Sequence, residues 1–141
     1  RANQAFYRAF ESLDLDEMSE VWAHDGQVTC AHPGWTLAEG WTQVRQSWET
    51  IFRNTPEIDF EVSEERIDVR GDLAWVVCVE RISSGADEGA VLATNVFRRD
   101  PHGDWRLVHH HGSAYVPPRN RPPAPPKGPK RDKKAEKKVL N

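Results

Sequence analysis

Three consecutive histidines stand inside Arg106-Leu-Val-His-His-His-Gly-Ser-Ala-Tyr-Val116, a stretch whose composition otherwise reads as a β-strand. Successive side chains of a strand point to opposite faces, so His109 and His111 share one face and His110 takes the other. Two imidazoles two residues apart can act together on a proton, a metal or an anion where their face lines a cavity. The expectation from sequence is that His109 and His111 face such a cavity and that His110 faces solvent or a subunit contact. His32, followed by Pro33-Gly34, sits where a short strand over 27–32 must bend, and it is the third imidazole expected to reach the same space. Trp35, Trp41, Trp75, Asn95, Ser113 and Tyr115 are the other side chains expected to converge there, so the site is aromatic in character.

Several chemistries have no support in the chain. The glycines are scattered, with no phosphate loop or dinucleotide fingerprint. Ser113 follows Gly112 without the strand-to-helix elbow of a hydrolase, and neither Cys30 nor Cys78 has a neighbouring base or helix start to make it a nucleophile. His109 and His111 with His32 would make a three-nitrogen metal set, yet no acidic residue stands where it would orient the rings. No metal or other cofactor is therefore expected.

The elements that must position these residues follow from periodicity. Phe6, Phe10 and Leu13 form the stripe of a first helix. Asp14 or Asp16 caps a second, which runs through Trp22 with Leu15, Met18 and Val21 inward. From Gly40, residues Trp41, Val44, Trp48, Ile51 and Phe52 mark the longest apolar helix, which Thr55-Pro56 ends. Trp22, Trp48, Trp75 and Trp105 are expected in the core.

Residues 58–116 switch to a period of two. Ile58, Phe60 and Val62 alternate on even positions and Ile67 and Val69 on odd ones, so Ser63-Glu64-Glu65 must hold a bulge that reverses the faces and bends the strand. Arg70-Gly71-Asp72 signals a tight turn into Leu73–Ile82, a central strand. A loop over Gly85–Gly89, a strand over Ala90–Arg99 and a turn at residues 100–104 lead into the histidine strand. The fold class is α+β: N-terminal helices over a strongly curved antiparallel sheet, with a cone-shaped pocket between them.

Composition divides the chain after Val116. Residues 1–116 carry ten Arg, no Lys and twenty acids, a net −10, whereas 117–141 carry nine Lys or Arg against two acids, a net +7, among seven prolines. The tail lacks the apolar surface to offset its ordering entropy and is expected to be disordered. An acidic body argues against a nucleic-acid surface on the domain, and the basic tail is expected to touch polyanions only non-specifically. Two cysteines are too few for a disulfide framework and are expected reduced, which points to the cytoplasm. No apolar run approaches the roughly 18 residues that span a bilayer.

The order of motifs Trp22-Ala-His-Asp-Gly-Gln-Val-Thr-Cys-Ala-His-Pro-Gly-Trp35, Gly40 with Val44 and Trp48-Glu-Thr-Ile51, Val69-Arg-Gly-Asp-Leu-Ala-Trp75, Asn95-Val-Phe-Arg-Arg99 and Trp105–Ser113 resembles the SnoaL-like branch of the nuclear transport factor 2 superfamily. That resemblance implies a homodimer and a conical pocket for a small apolar molecule. In ketosteroid-isomerase-like relatives an Asp-Pro at the end of the first strand supplies the general base. His32-Pro33 stands near that position, one residue farther from the preceding helix. The resemblance thus implies acid–base isomerisation, cyclisation or dehydration of an apolar carbonyl compound, with His32 as base and His109 or His111 as acid. A non-catalytic ligand-binding or association domain is the alternative.

Overall fold

The computed structural model describes residues 1–116; the expected disordered tail lies outside the described residues. Two helices come first, α1 (Ala2–Ser12) and α2 (Leu15–Val21), followed by β1 (Thr29–Ala31), β2 (Ala38–Glu39) and α3 (Gly40–Asn54). Four long strands complete the domain: β3 (Asp59–Arg70), β4 (Leu73–Ser84), β5 (Asp87–Arg99) and β6 (Trp105–Ala114). They form one six-stranded sheet in the order β2-β1-β6-β5-β4-β3, antiparallel throughout except where β1 runs parallel to β6.

Local chemistry explains the helix boundaries. Leu13 turns left-handed (φ 55°) and stops α1, and the Asp14 carboxylate then accepts from the backbone N–H of Asp16 and Glu17 to open α2. Gly40, at φ 79°, lets the chain swing into α3, where its own N–H and that of Trp41 bond to Val28 O and Asp25 O.

Helices α1 and α3 cover one face of the sheet, and the apolar stripes read from sequence meet there. Phe10 lies 4.8 Å from Trp48 and 4.5 Å from Phe60, ring centre to ring centre, over the buried Val76, Phe97 and Leu107. Among the four tryptophans expected in the core, Trp22 and Trp48 are buried and Trp105 is half-buried, but Trp75 is 36% exposed on the sheet face that α1 and α3 leave uncovered. It lies between buried Ala74 and Val76, so alternation alone turns it outward.

Two bulges set the phases of the sheet. The first is where the alternation placed it: pairing of β3 with β4 jumps between Ser63 and Arg66, and Glu64 takes φ 52°. The second is in β6. Val96 pairs with His109 but Phe97 pairs with Leu107, so Val108 is the extra residue. Two details differ from expectation. The loop over Gly85–Gly89 is a two-residue turn, because Ser84 pairs with Asp87 and both strands run on to its edge. The two-residue β2, too short for a periodic signal, was not foreseen.

At Gly112 the turn that follows β1 packs on the sheet with little room to spare. A Cβ there would lie 3.0 Å from Val91 Cγ1 and 3.4 Å from the Pro33 ring. Gly112→Val is therefore expected to destabilise the domain by about 1–3 kcal/mol, measured by urea unfolding, because the strand cannot retreat from both neighbours. Pro33 follows His32, so the same contact holds the site in place.

Candidate functional site

The bulge at Val108 decides which histidine enters the interior. With Leu107 inward, an unbroken strand would carry His109 and His111 inward too; the extra residue shifts the phase and turns His110 in. His110 is 1% exposed, whereas His111 is exposed and His109 half-buried on the uncovered face. The expected assignment of faces is thus reversed. The exposed Ser113 lies away from the interior through the same shift and Trp75 through the plain alternation of β4, and Tyr115 joins Ala90 through its backbone N–H. A metal set of His32, His109 and His111 is excluded, since His32 is on the covered side. Among the described residues no group of three or more His, Cys, Asp or Glu side chains could hold a metal ion.

His32 and Asn95 are both buried on the covered side of the sheet. The His32 ring, 5% exposed, stands 6.1 Å from the His110 ring and edge-on to Trp48 at 4.6 Å. Trp35, expected at the pocket wall, is 46% exposed and meets His32 at 5.2 Å, so it forms a lip. Trp41, expected beside it, instead stacks on His24 at 4.2 Å with the planes nearly parallel.

Hydrogen bonds fix the protons of both rings. The Ser47 hydroxyl has one proton, given to Val44 O at 2.6 Å, so at 2.9 Å its oxygen accepts from His32 Nε2–H. His32 Nδ1 then carries no hydrogen, and the Cys30 sulfur lies 3.9 Å from it. Asn95 Nδ2 donates to Asn3 Oδ1 at 2.9 Å and to the Tyr7 hydroxyl at 3.2 Å, and its Oδ1 accepts from His110 Nδ1–H at 2.5 Å. His110 is therefore bare at Nε2. Tyr7 passes its own proton toward Glu80 Oε2 at 2.5 Å, which makes a chain Glu80–Tyr7–Asn95–His110 through the core.

Burial controls the charges. It lowers the His32 pKa to about 4, and it holds His110 well below the usual imidazole range with the help of His32 nearby. Both rings are neutral at pH 7. His109 is also lowered, first by burial and then by the His111 charge. The same desolvation raises Glu80 to about 7 against the opposing Tyr7 hydrogen bond, raises Tyr7, and pushes Cys78 up to about 12 and Cys30 higher still. Neither thiol is a nucleophile at neutral pH. The arrangement can accept a proton at either bare nitrogen inside an aromatic wall of Phe6, Trp48 and Trp35, and a base of about 4 has the proton affinity of a carboxylate.

Asn3, Tyr7, Ser47, Glu80 and His110 were not foreseen as members of this cluster. Glu80 carried a usable signal: it falls in phase with the inward Ala74, Val76 and Cys78. A shallow cleft of about 430 Å³ shares no residue with the cluster; its Arg98 and Arg106 are occupied by Asp25 at 2.7 Å and Asp100 at 3.4 Å.

The chain resembles known proteins over this same region. A sequence model of the SnoaL-like domain matches residues 1–117. The F-box protein SKIP8 of Arabidopsis thaliana is 33% identical over 114 residues, which cover 81% of this chain and 48% of that protein, so the chain spans about half the length of this relative. A crystal structure from Streptomyces avermitilis, named as a candidate dehydratase of the NTF2-like family, is 40% identical with a TM-score of 0.75, covering 82% of this chain and 91% of that one. Another, from Thiobacillus denitrificans and named as a candidate calcium/calmodulin-dependent protein kinase type II association domain, is 34% identical with a TM-score of 0.76, covering 82% and 93%. With the curved helix-covered sheet and the motif order agreeing, this chain belongs to the SnoaL-like family of the nuclear transport factor 2-like superfamily.

Proposed function

We propose that this domain binds a small apolar carbonyl compound beside His32 and moves a proton on it, as an isomerase, cyclase or dehydratase does. The observation that supports this most is the pair of neutral, oppositely protonated imidazoles, His32 bare at Nδ1 and His110 bare at Nε2, within one aromatic enclosure. His32 is the base and Trp35 the lip of the entrance. In place of the acid expected of His109 or His111, His110 is bare at Nε2 and is a second proton acceptor, and the proton that His32 takes at Nδ1 is the one it returns to another atom of the substrate. Asn95 is a positioning residue: it fixes the tautomer of His110. The likeness to a candidate dehydratase at 40% identity accords with this chemistry.

A second reading is favoured by the likeness to a candidate kinase association domain: a ligand-holding or assembling domain without turnover. Both readings include a homodimer and a cytoplasmic setting for the two reduced cysteines, neither of which is needed for the proton chemistry. Among the described residues no helix is long and apolar enough to cross a membrane. The test is a screen of the intact chain against small cyclic enones and hydroxyketones, followed by solvent-deuterium incorporation. Substrate that exchanges or converts only with the wild-type chain, and not with a His32→Gln variant that still binds it, supports the first reading. Binding with equal and absent turnover in both supports the second.

A further inference from the structure

The uncovered face of the sheet carries His109 and His111, which the proton chemistry leaves unused. We propose that these two imidazoles form a binding site for one divalent transition-metal ion of the zinc, copper or nickel kind, with water completing its coordination. Their ring centres are 6.3 Å apart with planes at 83°. Metal–nitrogen bonds of 2.0–2.1 Å put two imidazoles sharing an ion at roughly 5–6.5 Å between ring centres, so only small side-chain rotations are needed. Thr29 Oγ1 lies 2.7 Å from His109 Nδ1, which anchors the ring on its inner nitrogen and leaves Nε2 as the ligating atom. A hydrogen bond at the non-ligating nitrogen is the usual support of a metal-bound histidine.

The surroundings select this occupant. Across the sheet, Val96 and Thr29 flank His109, and Thr94 and Ala31 flank His111. None of these four carries a charge. Two nitrogen donors and no thiolate or carboxylate favour the later first-row divalent ions over magnesium or calcium. Among the described residues no third side chain completes the set, so the ion would keep exchangeable positions. His110 between them, turned inward, takes no part.

The test is titration of the full chain with zinc chloride near neutral pH by calorimetry, with copper(II) electron paramagnetic resonance as a second readout. The expected result is one ion per chain, or one per two chains if two pairs share it, and a copper spectrum with at least two equatorial nitrogens. His111→Gln, an exposed change, should abolish binding, and Thr29→Val should weaken it about 10–100-fold. His24→Gln, whose ring bonds Ser19 O at 2.6 Å, should change nothing. Absence of zinc binding at millimolar concentration, or binding unaltered by His111→Gln, would overturn the proposal. The outcome is independent of whether the inner site turns a substrate over.

Discussion

His32→Gln is expected to lower turnover of any carbonyl substrate by about 10²–10⁴-fold while changing its affinity little. Glutamine keeps a side-chain amide that can donate to Ser47 Oγ, the bond His32 Nε2 makes at 2.9 Å. What it removes is the bare Nδ1, the only part of the ring that can take a proton. Because the His32 pKa is lowered to about 4 by burial, the wild-type rate should hold level from pH 8 to about pH 5 and fall below that as the ring protonates. Steady-state kinetics across that range, with binding followed by calorimetry, separate the two quantities. An unchanged turnover number in the variant would remove His32 from the chemistry.

The second large effect concerns stability. Glu80 is 2% exposed and its pKa rises from an ordinary 4.5 to about 7 through burial, equivalent to ~3 kcal/mol. The folded carboxyl keeps its proton up to about pH 7 while the unfolded one ionises near 4.5, so the folded state binds more protons in that window and stability falls as pH rises through it. His32 works in the opposite sense: its pKa is lowered from 6.5 to about 4, the unfolded state binds more protons between those values, and ~3 kcal/mol is lost as pH falls through them. The two slopes oppose each other across the shared part of the range. Glu80→Gln keeps an oxygen to accept from Tyr7 and removes one slope. Relative to wild type, the variant should therefore be more stable at pH 8 than its own offset at pH 4 predicts by about 3 kcal/mol, and its stability should fall steadily on acidification. Urea unfolding at pH 4, 6 and 8 reads this directly, and parallel pH curves for the two proteins would show that Glu80 ionises normally.

Those two residues also show what was legible in the chain. Alternation gave the bulge at Ser63-Glu64-Glu65 because apolar residues change parity across it, from Phe60 and Val62 to Ile67 and Val69. No such mark exists at Val108. Leu107 and Val108 are both apolar, so either could be the inward residue, and the phase of the three histidines after them was undetermined by pattern. A one-residue shift there exchanges His110 for His109 and His111. His32 was legible because Pro33-Gly34 fixes the end of its strand. Tyr7 and Asn3 were not, because a helix stripe identifies a buried face without saying which polar side chain on its edge will meet a partner 71 to 92 residues away. Glu80 could have been found by asking why an acid shares a face with Ala74, Val76 and Cys78.

The proposed chemistry requires that the inward His32 and His110 be neutral, oppositely protonated and within reach of a small carbonyl compound. Long-range proton–nitrogen NMR of the histidine-labelled chain at pH 7, alone and with a cyclic enone, tests it most directly. His32 is expected to be protonated at Nε2 only and His110 at Nδ1 only, with both rings, and not His109 or His111, shifted by the ligand. A doubly protonated His32 or His110 at pH 7, or a ligand response confined to His109 and His111, would contradict it.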